Sequence, residues 1–270
     1  METPNTSGPP TRSYQERCVA FLDILGFSSL VKKTISDRTY FDAVINACEQ
    51  LVREKEFKNG EGSYEGYEDP VKSRIYMFSD CICHTVDPTP DGLIELIETV
   101  SGLCTSLIYT GVLVRGAIVL GQVYEEGQVI CGPGLIDAYE NESKAAKYPR
   151  VLVTDDIYER SRSIDYVVGG RAPMRLEERI RRDFDGLYHV NWLCQFHTIY
   201  KPGAKGFRTD SPLDYGRIKE IVEYWLLESK ERVDIQSKMR WFAGYFNEVL
   251  VKGKELNTLG RYIALTPIGC

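Results

Sequence analysis

The sequence predicts an α+β fold, a ferredoxin-like core of helices packed on an antiparallel-containing sheet, followed by C-terminal helices. Three observations predict it. Elements read from hydrophobic spacing follow one another as βαββαββαβ up to Val151–Thr154. Two of the connections are helical runs long enough to cross a sheet. Beyond Pro212 the alternation stops and only helical periodicity remains.

The elements follow in order. The opening METPNTSGPPTRSYQER is polar, carries prolines and has no apolar signal core, so residues 1–13 read as a tail. In Val19-Ala20-Phe21-Leu22-Asp23 four of five residues are apolar, which suits a buried strand interrupted by one carboxylate. Gly26 permits a tight strand-to-helix turn, and Ser28 and Ser29 fall at the helix start. Phe41, Val44, Ile45, Cys48, Leu51 and Val52 recur at helical spacing, and KNGEGSYEGYEDP is a loop. SRIYMFSDCICHTV reads as two short strands meeting at Ser79-Asp80. DPTPDG is a turn, and Leu93 to Tyr109 a helix ended by Gly111.

VLVRGAIVLGQVYEEGQVICG reads as a strand, a bend at Gly121 and a short returning strand. Gly132-Pro133-Gly134 opens a third helix, LIDAYENESKAAK, which stops before Tyr148-Pro149. VLVT is a buried strand, the arginine-rich stretch from Arg160 to Arg182 a solvated linker, and GLYHVNWL one more strand. RIKEIVEYWLLESKERVDIQSKMRWFAGYFNEVL is helical, with a break near Asp234. The expected division is an α+β domain over 14–200 and a helical extension over 201–270.

Composition narrows the function. With 33 Lys and Arg against 39 Asp and Glu, the net charge of −6 gives no basis for broad nucleic-acid binding. No apolar run approaches the roughly 20 residues of a membrane span. The eight cysteines show no paired spacing and read as reduced thiols of a cytosolic protein. Cys81, Cys83 and His84 alternate along a strand, which separates them onto opposite faces and argues against a zinc site.

Two carboxylates carry the chemistry. Asp23 and Asp80 fall at the edges of strands that pair as neighbours in such a sheet. Placed together they repel and raise each other's pKa unless cations share them. A pair of divalent ions resolves that conflict and suits phosphoryl chemistry. Ser79 is small enough to let a ligand approach. Free backbone N–H groups after Gly26 and the hydroxyls of Ser28 and Ser29 make a phosphate cradle, so the stretch reads as a nucleoside-triphosphate site.

FLDILGFSSL resembles the Phe-x-Asp-Ile-x-Gly-Phe-[Ser/Thr]-x-Leu opening of class III nucleotidyl cyclases. YMFSD resembles their second metal strand, and VRGAIVLGQV the strand that follows. The resemblance covers roughly Tyr14 to Tyr158. It implies a head-to-tail homodimer with composite active sites that cyclises a nucleoside triphosphate and releases pyrophosphate. It also implies that Asp23, Asp80 and the backbone carbonyl of Ile24 hold two divalent cations, Mn²⁺ or Mg²⁺, with Phe27, Ser28 and Ser29 over the phosphates.

The departures point to the base. Tyr76 stands where adenylyl cyclases carry an adenine-contacting lysine, and their purine-selecting Asp and Asn-x-x-x-Arg pair are missing as such. GPGLIDAYENESKAAKYPR resembles instead the pyrimidine cyclases of bacterial Pycsar anti-phage systems. That implies a cytoplasmic second-messenger synthase with a separate effector activated by its cyclic nucleotide.

Tyr76 and Arg115 are then the candidates for reading the base. A tyrosine fills the space a purine would take, and Arg115, which interrupts an apolar strand, needs a polar partner: a base carbonyl, a phosphate or, alternatively, the acid of a salt bridge. Because Arg115 only donates hydrogen bonds, a contact at position four of the base would accept uracil O4 and reject the cytosine amino group. UTP is therefore the expected substrate and cyclic UMP the product. CTP to cyclic CMP, or a silent nucleotide-binding signalling module, are the alternatives. Asp137, Asn141 and Lys144 share a helix face, which offers Asn141 to the ribose and Lys144 to the triphosphate. Arg150 is a further phosphate candidate.

Overall fold

The structure is a computed structural model. It describes residues 12–39, 41, 42, 45, 46, 49, 73–166, 174–197, 213–255 and 264–269, without the side chains of 29 and 195–197. Most of the helix expected from Phe41 to Val52, and nearly all of the loop after it, lie outside these residues.

One sheet organises the chain. Its strands are β1 (Gln15–Ile24), β2 (Ser73–Phe78), β3 (Cys81–Val86), β4 (Val114–Glu126), β5 (Val129–Cys131), β6 (Val151–Val153), β9 (Ile180–Arg182) and β10 (Tyr188–Val190). The order is β2-β3-β1-β4-β6-β10-β9, with β5 folded back on β4, and only β4 and β6 run parallel. The first four strands thus have the order and antiparallel pairing of a ferredoxin-like core.

Among the described residues, the helices with defined bounds are α1 (Phe27–Thr34), α2 (Pro90–Ile108), α3 (Pro133–Glu140), α4 (Asp155–Ser161), α5 (Tyr215–Glu228) and α6 (Val233–Glu255). Thr89 caps α2 by accepting from the Gly92 N–H, with Pro90 at the first helical position. The expected α+β class therefore holds. No helix among the described residues is long and apolar enough to cross a membrane.

Alternation along β1 divides the core. Ala20, Leu22 and Ile24 join Leu96, Val100 and Leu103 of α2 in the larger apolar cluster. Tyr215, Ile218 and Val222 of α5 and Phe242 and Phe246 of α6 belong to that same cluster. Val19 and Phe21 face the opposite side, where Ala138 of α3 packs with Tyr76, Cys83 and Val119. Each Val, Leu, Ile or Phe among them contributes about 1.5–3 kcal/mol on burial. This second face ends at Asp23.

Two expectations are corrected. Gly121 is no bend: β4 runs straight through it, and the chain turns at Gly127, whose φ is 58°. Gly121 is there because α3 crosses β4 backbone to backbone. A Cβ on Gly121 would lie 2.4 Å from the Gly134 Cα. The stretch from Arg160 to Arg182 is no solvated linker either. It carries β7 (Asp165–Tyr166), β8 (Met174–Arg175) and β9, and Arg179 is buried against α2. Arg179 donates to both carboxylate oxygens of Glu98, at 2.9 and 3.0 Å, and Tyr166 donates to the same group. Residues so far apart in sequence leave no local pattern.

The Gly121–Gly134 crossing fixes the height of α3 above the sheet. Gly134→Ala is expected to lower stability in urea unfolding by about 1–3 kcal/mol, the usual effect of overpacking. Gly244→Ala in α6, where a new Cβ meets nothing within 4 Å, serves as the control and is expected to be neutral or stabilising.

Candidate active site

The site begins with strand register. Asp23 on β1 lies directly opposite Cys81 on β3 and Arg115 on β4. All three sit on the α3 side of the sheet, near the end of β1. Asp80 is brought in by the β2–β3 hairpin, whose two-residue loop is Ser79-Asp80. Its carbonyl accepts from the Ile24 N–H at 3.3 Å, tying the loop to the end of β1. Ligand atoms of Asp23, Asp80 and Cys81 all lie within 4.8 Å of one another.

Ser79 has φ 59°, the one positive value on a non-glycine residue among those described. Such a backbone costs on the order of 1–3 kcal/mol and concentrates at functional sites. Here it sets the loop that carries Asp80.

Arg115 supplies the nearest positive charge. Its Nε donates to Asp23 Oδ2 at 2.9 Å and also lies 2.8 Å from Glu142 Oε1. An Nε carries a single hydrogen, so it serves only one of them. Glu142 Oε1 receives no hydrogen bond although the residue is only 3% exposed. Burial pushes the Asp23 carboxyl up; Arg115 opposes the shift through its hydrogen bond and charge, Asp80 adds to it, and Lys238 of α6 counters it. Burial likewise pushes Glu142 up, against Arg115 and with Asp23. The Cys81 thiol is raised to about 12, first by burial and then by Asp23 and Asp80. The described charges make a cluster with more carboxylates than cations.

Beside it, Gly26 takes φ 75° as the residue before α1, and no side chain caps the helix. The Leu30 N–H is the first to bond back, to the Gly26 carbonyl at 3.0 Å, so the backbone N–H groups of Phe27, Ser28 and Ser29 precede the helical ladder. Phe27 packs against the core, Ser28 is exposed, and the Ser29 side chain lies outside the described ones. The Ile24 side chain is buried, which leaves only its backbone as a possible ligand. Leu25, Gly26, Lys33 and Lys238 help line a cleft of about 820 Å³ between α1 and the α5–α6 pair.

The remaining candidates lie elsewhere. Tyr76 is 4% exposed in the apolar cluster under α3, where burial raises its hydroxyl to about 12. It sits on β2, separated from Arg115 on β4 by two strands, roughly 14 Å at ordinary strand spacing. One chain therefore does not bring Tyr76 and Arg115 to one base. Asn141 donates to the Asp137 carbonyl at 2.9 Å, and Lys144, 69% exposed, pairs with Glu140 at 2.9 Å. Neither contacts Asp23 or Arg115 of its own chain. Arg150 is not a phosphate residue: it is buried, ion-paired with Asp183 and Asp185, and close to the Tyr148 and Trp241 rings. His84, as expected, points away from Cys81 and Cys83 and shares a hydrogen bond with Ser73 at 2.9 Å.

Sequence reading missed Glu142. A signal was present, because Gly134, Ala138, Glu142 and Ala146 recur every four residues and all are buried. Three small residues mark a face pressed on the sheet, and the fourth member of that face is acidic.

No protein-family model matches the chain, and no curated protein does. Several solved structures are similar to it. A class III adenylyl cyclase-like ATP-binding protein from Pseudomonas aeruginosa is 12% identical over 57% of this chain and 36% of its own, with a TM-score of 0.39. A bacterial light-regulated adenylyl cyclase is 13% identical over 67% of this chain and 53% of its own, with a TM-score of 0.41. The monomeric guanylyl cyclase domain of the RhoGC fusion protein from the aquatic fungus Blastocladiella emersonii is 17% identical over 67% and 98%, with a TM-score of 0.39. The chain thus spans little more than a third of the first and about half of the second. Likenesses of this degree leave the functional reading to rest on the chain's own residues.

The raised carboxyls have a consequence for stability. A carboxyl whose pKa is raised on folding holds its proton more tightly in the folded state. Its stabilising contribution is present below the unfolded value and is lost as pH rises through the folded value. Asp23→Asn removes one such charge. Without divalent metal at pH 7 its melting temperature is expected to rise by about 1–3 °C, the scale of a sub-kilocalorie to one-kilocalorie gain in a chain of this size. A lower melting temperature in a thermal scan with chelator would show that Asp23 is not destabilising.

Proposed function

We propose that the chain is a divalent-metal-dependent nucleotidyl cyclase, converting a nucleoside triphosphate to its 3′,5′-cyclic monophosphate and pyrophosphate. The observation that carries this reading is the meeting of Asp23 and Asp80 at a sheet end, directly before the uncapped start of α1. The donor set fits hard cations: two carboxylates within reach of one another, with excess negative charge around them. Asp23, Asp80 and the Ile24 carbonyl would hold two ions, Mn²⁺ or Mg²⁺. Bound there, such ions would make the ribose 3′-hydroxyl more acidic and neutralise the triphosphate.

The chain's own groups account for the rest. The amides of Phe27, Ser28 and Ser29 offer donors to phosphate oxygens without a competing cap. Arg115, held at Asp23, stands ready to meet a phosphate beside the ions. Tyr76, Asn141 and Lys144 do not touch this cluster in their own chain. We place Asn141 and Lys144, as the resemblance to head-to-tail cyclase dimers suggests, in the half of a composite site supplied to a second copy, whereas Tyr76, 4% exposed beneath α3, would shape that half from below.

The proposed substrate is a pyrimidine nucleoside triphosphate, UTP before CTP. Resemblance of the α3 segment to pyrimidine cyclases supports it, as does Tyr76 in place of an adenine-contacting lysine. Arg115, in contact with Asp23, stands closer to the place of a phosphate than to that of uracil O4. The role in anti-phage signalling, with a separate effector, is carried by the same resemblance.

Purified protein incubated with each of the four ribonucleoside triphosphates and Mn²⁺ is expected to yield cyclic UMP and pyrophosphate by mass analysis. Asp23→Ala and Asp80→Ala should bring the yield to background. Cyclic CMP alone would move the assignment to CTP, and a cyclic purine product would remove the pyrimidine reading. Nucleotide binding without any cyclic product would identify a silent signalling module.

A further inference from the structure

Among the described residues, Glu142 is a buried acid with a carboxylate oxygen that receives no hydrogen bond. It follows α3 in a π-helical turn, Asn141–Ala145, an irregularity often found at functional sites. The four-residue run through Gly134 and Ala138 directs it at the sheet, beneath a helix held close by the Gly121–Gly134 crossing. It is 3% exposed, and its Oε1 sits 2.8 Å from Arg115 Nε without receiving that group's hydrogen. A buried carboxylate oxygen lacking a donor is unfavourable, and a second arrangement of Arg115 would satisfy it.

The geometry supplies that arrangement. Arg115 Nε is 2.9 Å from Asp23 and 2.8 Å from Glu142, so a small rotation of the guanidinium moves its one hydrogen from the first acceptor to the second. While Arg115 donates to Asp23 it competes with any cation for that carboxylate. We propose that Glu142 is a positioning residue that draws Arg115 off Asp23 and so frees Asp23 to bind the divalent ion. This rests on the metal reading above. Glu142 touches neither ion nor substrate in this account; it sets which carboxylate Arg115 holds. With the ion bound, the Nε–H points to Glu142 and the remaining guanidinium donors stay available to phosphate.

The test measures Mn²⁺ affinity of the full chain by the loss of free-ion electron paramagnetic resonance signal, with no turnover involved. Glu142→Gln keeps the shape and weakens the acceptor. Glu142→Asp keeps the charge and withdraws the acceptor by one methylene. Both are expected to weaken Mn²⁺ binding about ten-fold or more, the usual range for a residue that supports a metal ligand. In an Arg115→Ala background, where there is no guanidinium to draw away, the same substitutions should change affinity less than two-fold.

An equal loss in that background would mean that Glu142 acts on the ion through charge alone and would overturn the proposal. Unchanged affinity in the single variants would overturn it as well, while leaving the metal site standing. If the unsubstituted protein binds no Mn²⁺, the metal reading itself fails and this inference goes with it.

Discussion

The site depends on one crowded hydrogen. Arg115 Nε carries a single N–H, and two carboxylate oxygens, from Asp23 and Glu142, lie within 3 Å of it. Asp80 adds a third carboxylate close to Asp23. In water these groups would separate and hydrate; here β-sheet register forbids it. Asp23 and Arg115 are paired residues of adjacent antiparallel strands, and the β2–β3 hairpin fixes the loop carrying Asp80. Burial then raises Asp23 and Glu142 in preference for their neutral forms. Three carboxylates thus meet one guanidinium at this end of the sheet.

Several features follow from keeping that end in place. Close passage of α3 over β4 at Gly121 and Gly134 brings the following π turn down on the sheet, and with it Glu142. The left-handed Ser79 turns β2 into β3 within two residues, so that Asp80 sits beside the end of β1. Two backbone hydrogen bonds, Ile24 N–H to Asp80 and Leu25 N–H to Leu113, lock the exit of β1. Gly26 then swings the chain into α1 with its first amides uncapped. The helix pair α5 and α6 packs on the larger apolar cluster and brings in Lys238, whose charge slightly offsets the rise that burial gives the Asp23 carboxyl. The C-terminal helices are thus part of the electrostatics of the site as well as of the core.

Much of this was legible in the sequence because it is local. An aspartate breaking an apolar strand, a glycine after it and a Ser-Asp dipeptide between two β-branched runs each carry their meaning within a few residues. What was illegible is pairing at a distance. Arg115 was expected to meet a base carbonyl or a phosphate, with a salt bridge as the alternative; it makes the salt bridge, and its partner, the cross-strand Asp23, is fixed by a register that the sequence alone does not reveal. Arg150 and Arg179 read as candidates for phosphate and for solvent, and both are buried on acids far along the chain. Gly121 looked like a bend because a glycine needed for close approach and one needed for a turn are the same letter. Glu142 was hidden by neighbours Asn141 and Lys144, whose polar types drew attention to the solvent side of the same segment.

In the proposed reaction the carboxylates of Asp23 and Asp80 share divalent cations with a nucleoside triphosphate. Crystals grown with Mn²⁺ and a non-cyclisable triphosphate analogue test it most directly through anomalous scattering from manganese. The account predicts anomalous peaks in direct coordination distance of both carboxylates and of the analogue's phosphates, with the phosphates at the first turn of α1. Manganese and analogue bound together elsewhere, with Asp23 still held by Arg115 and no peak beside Asp80, would contradict it.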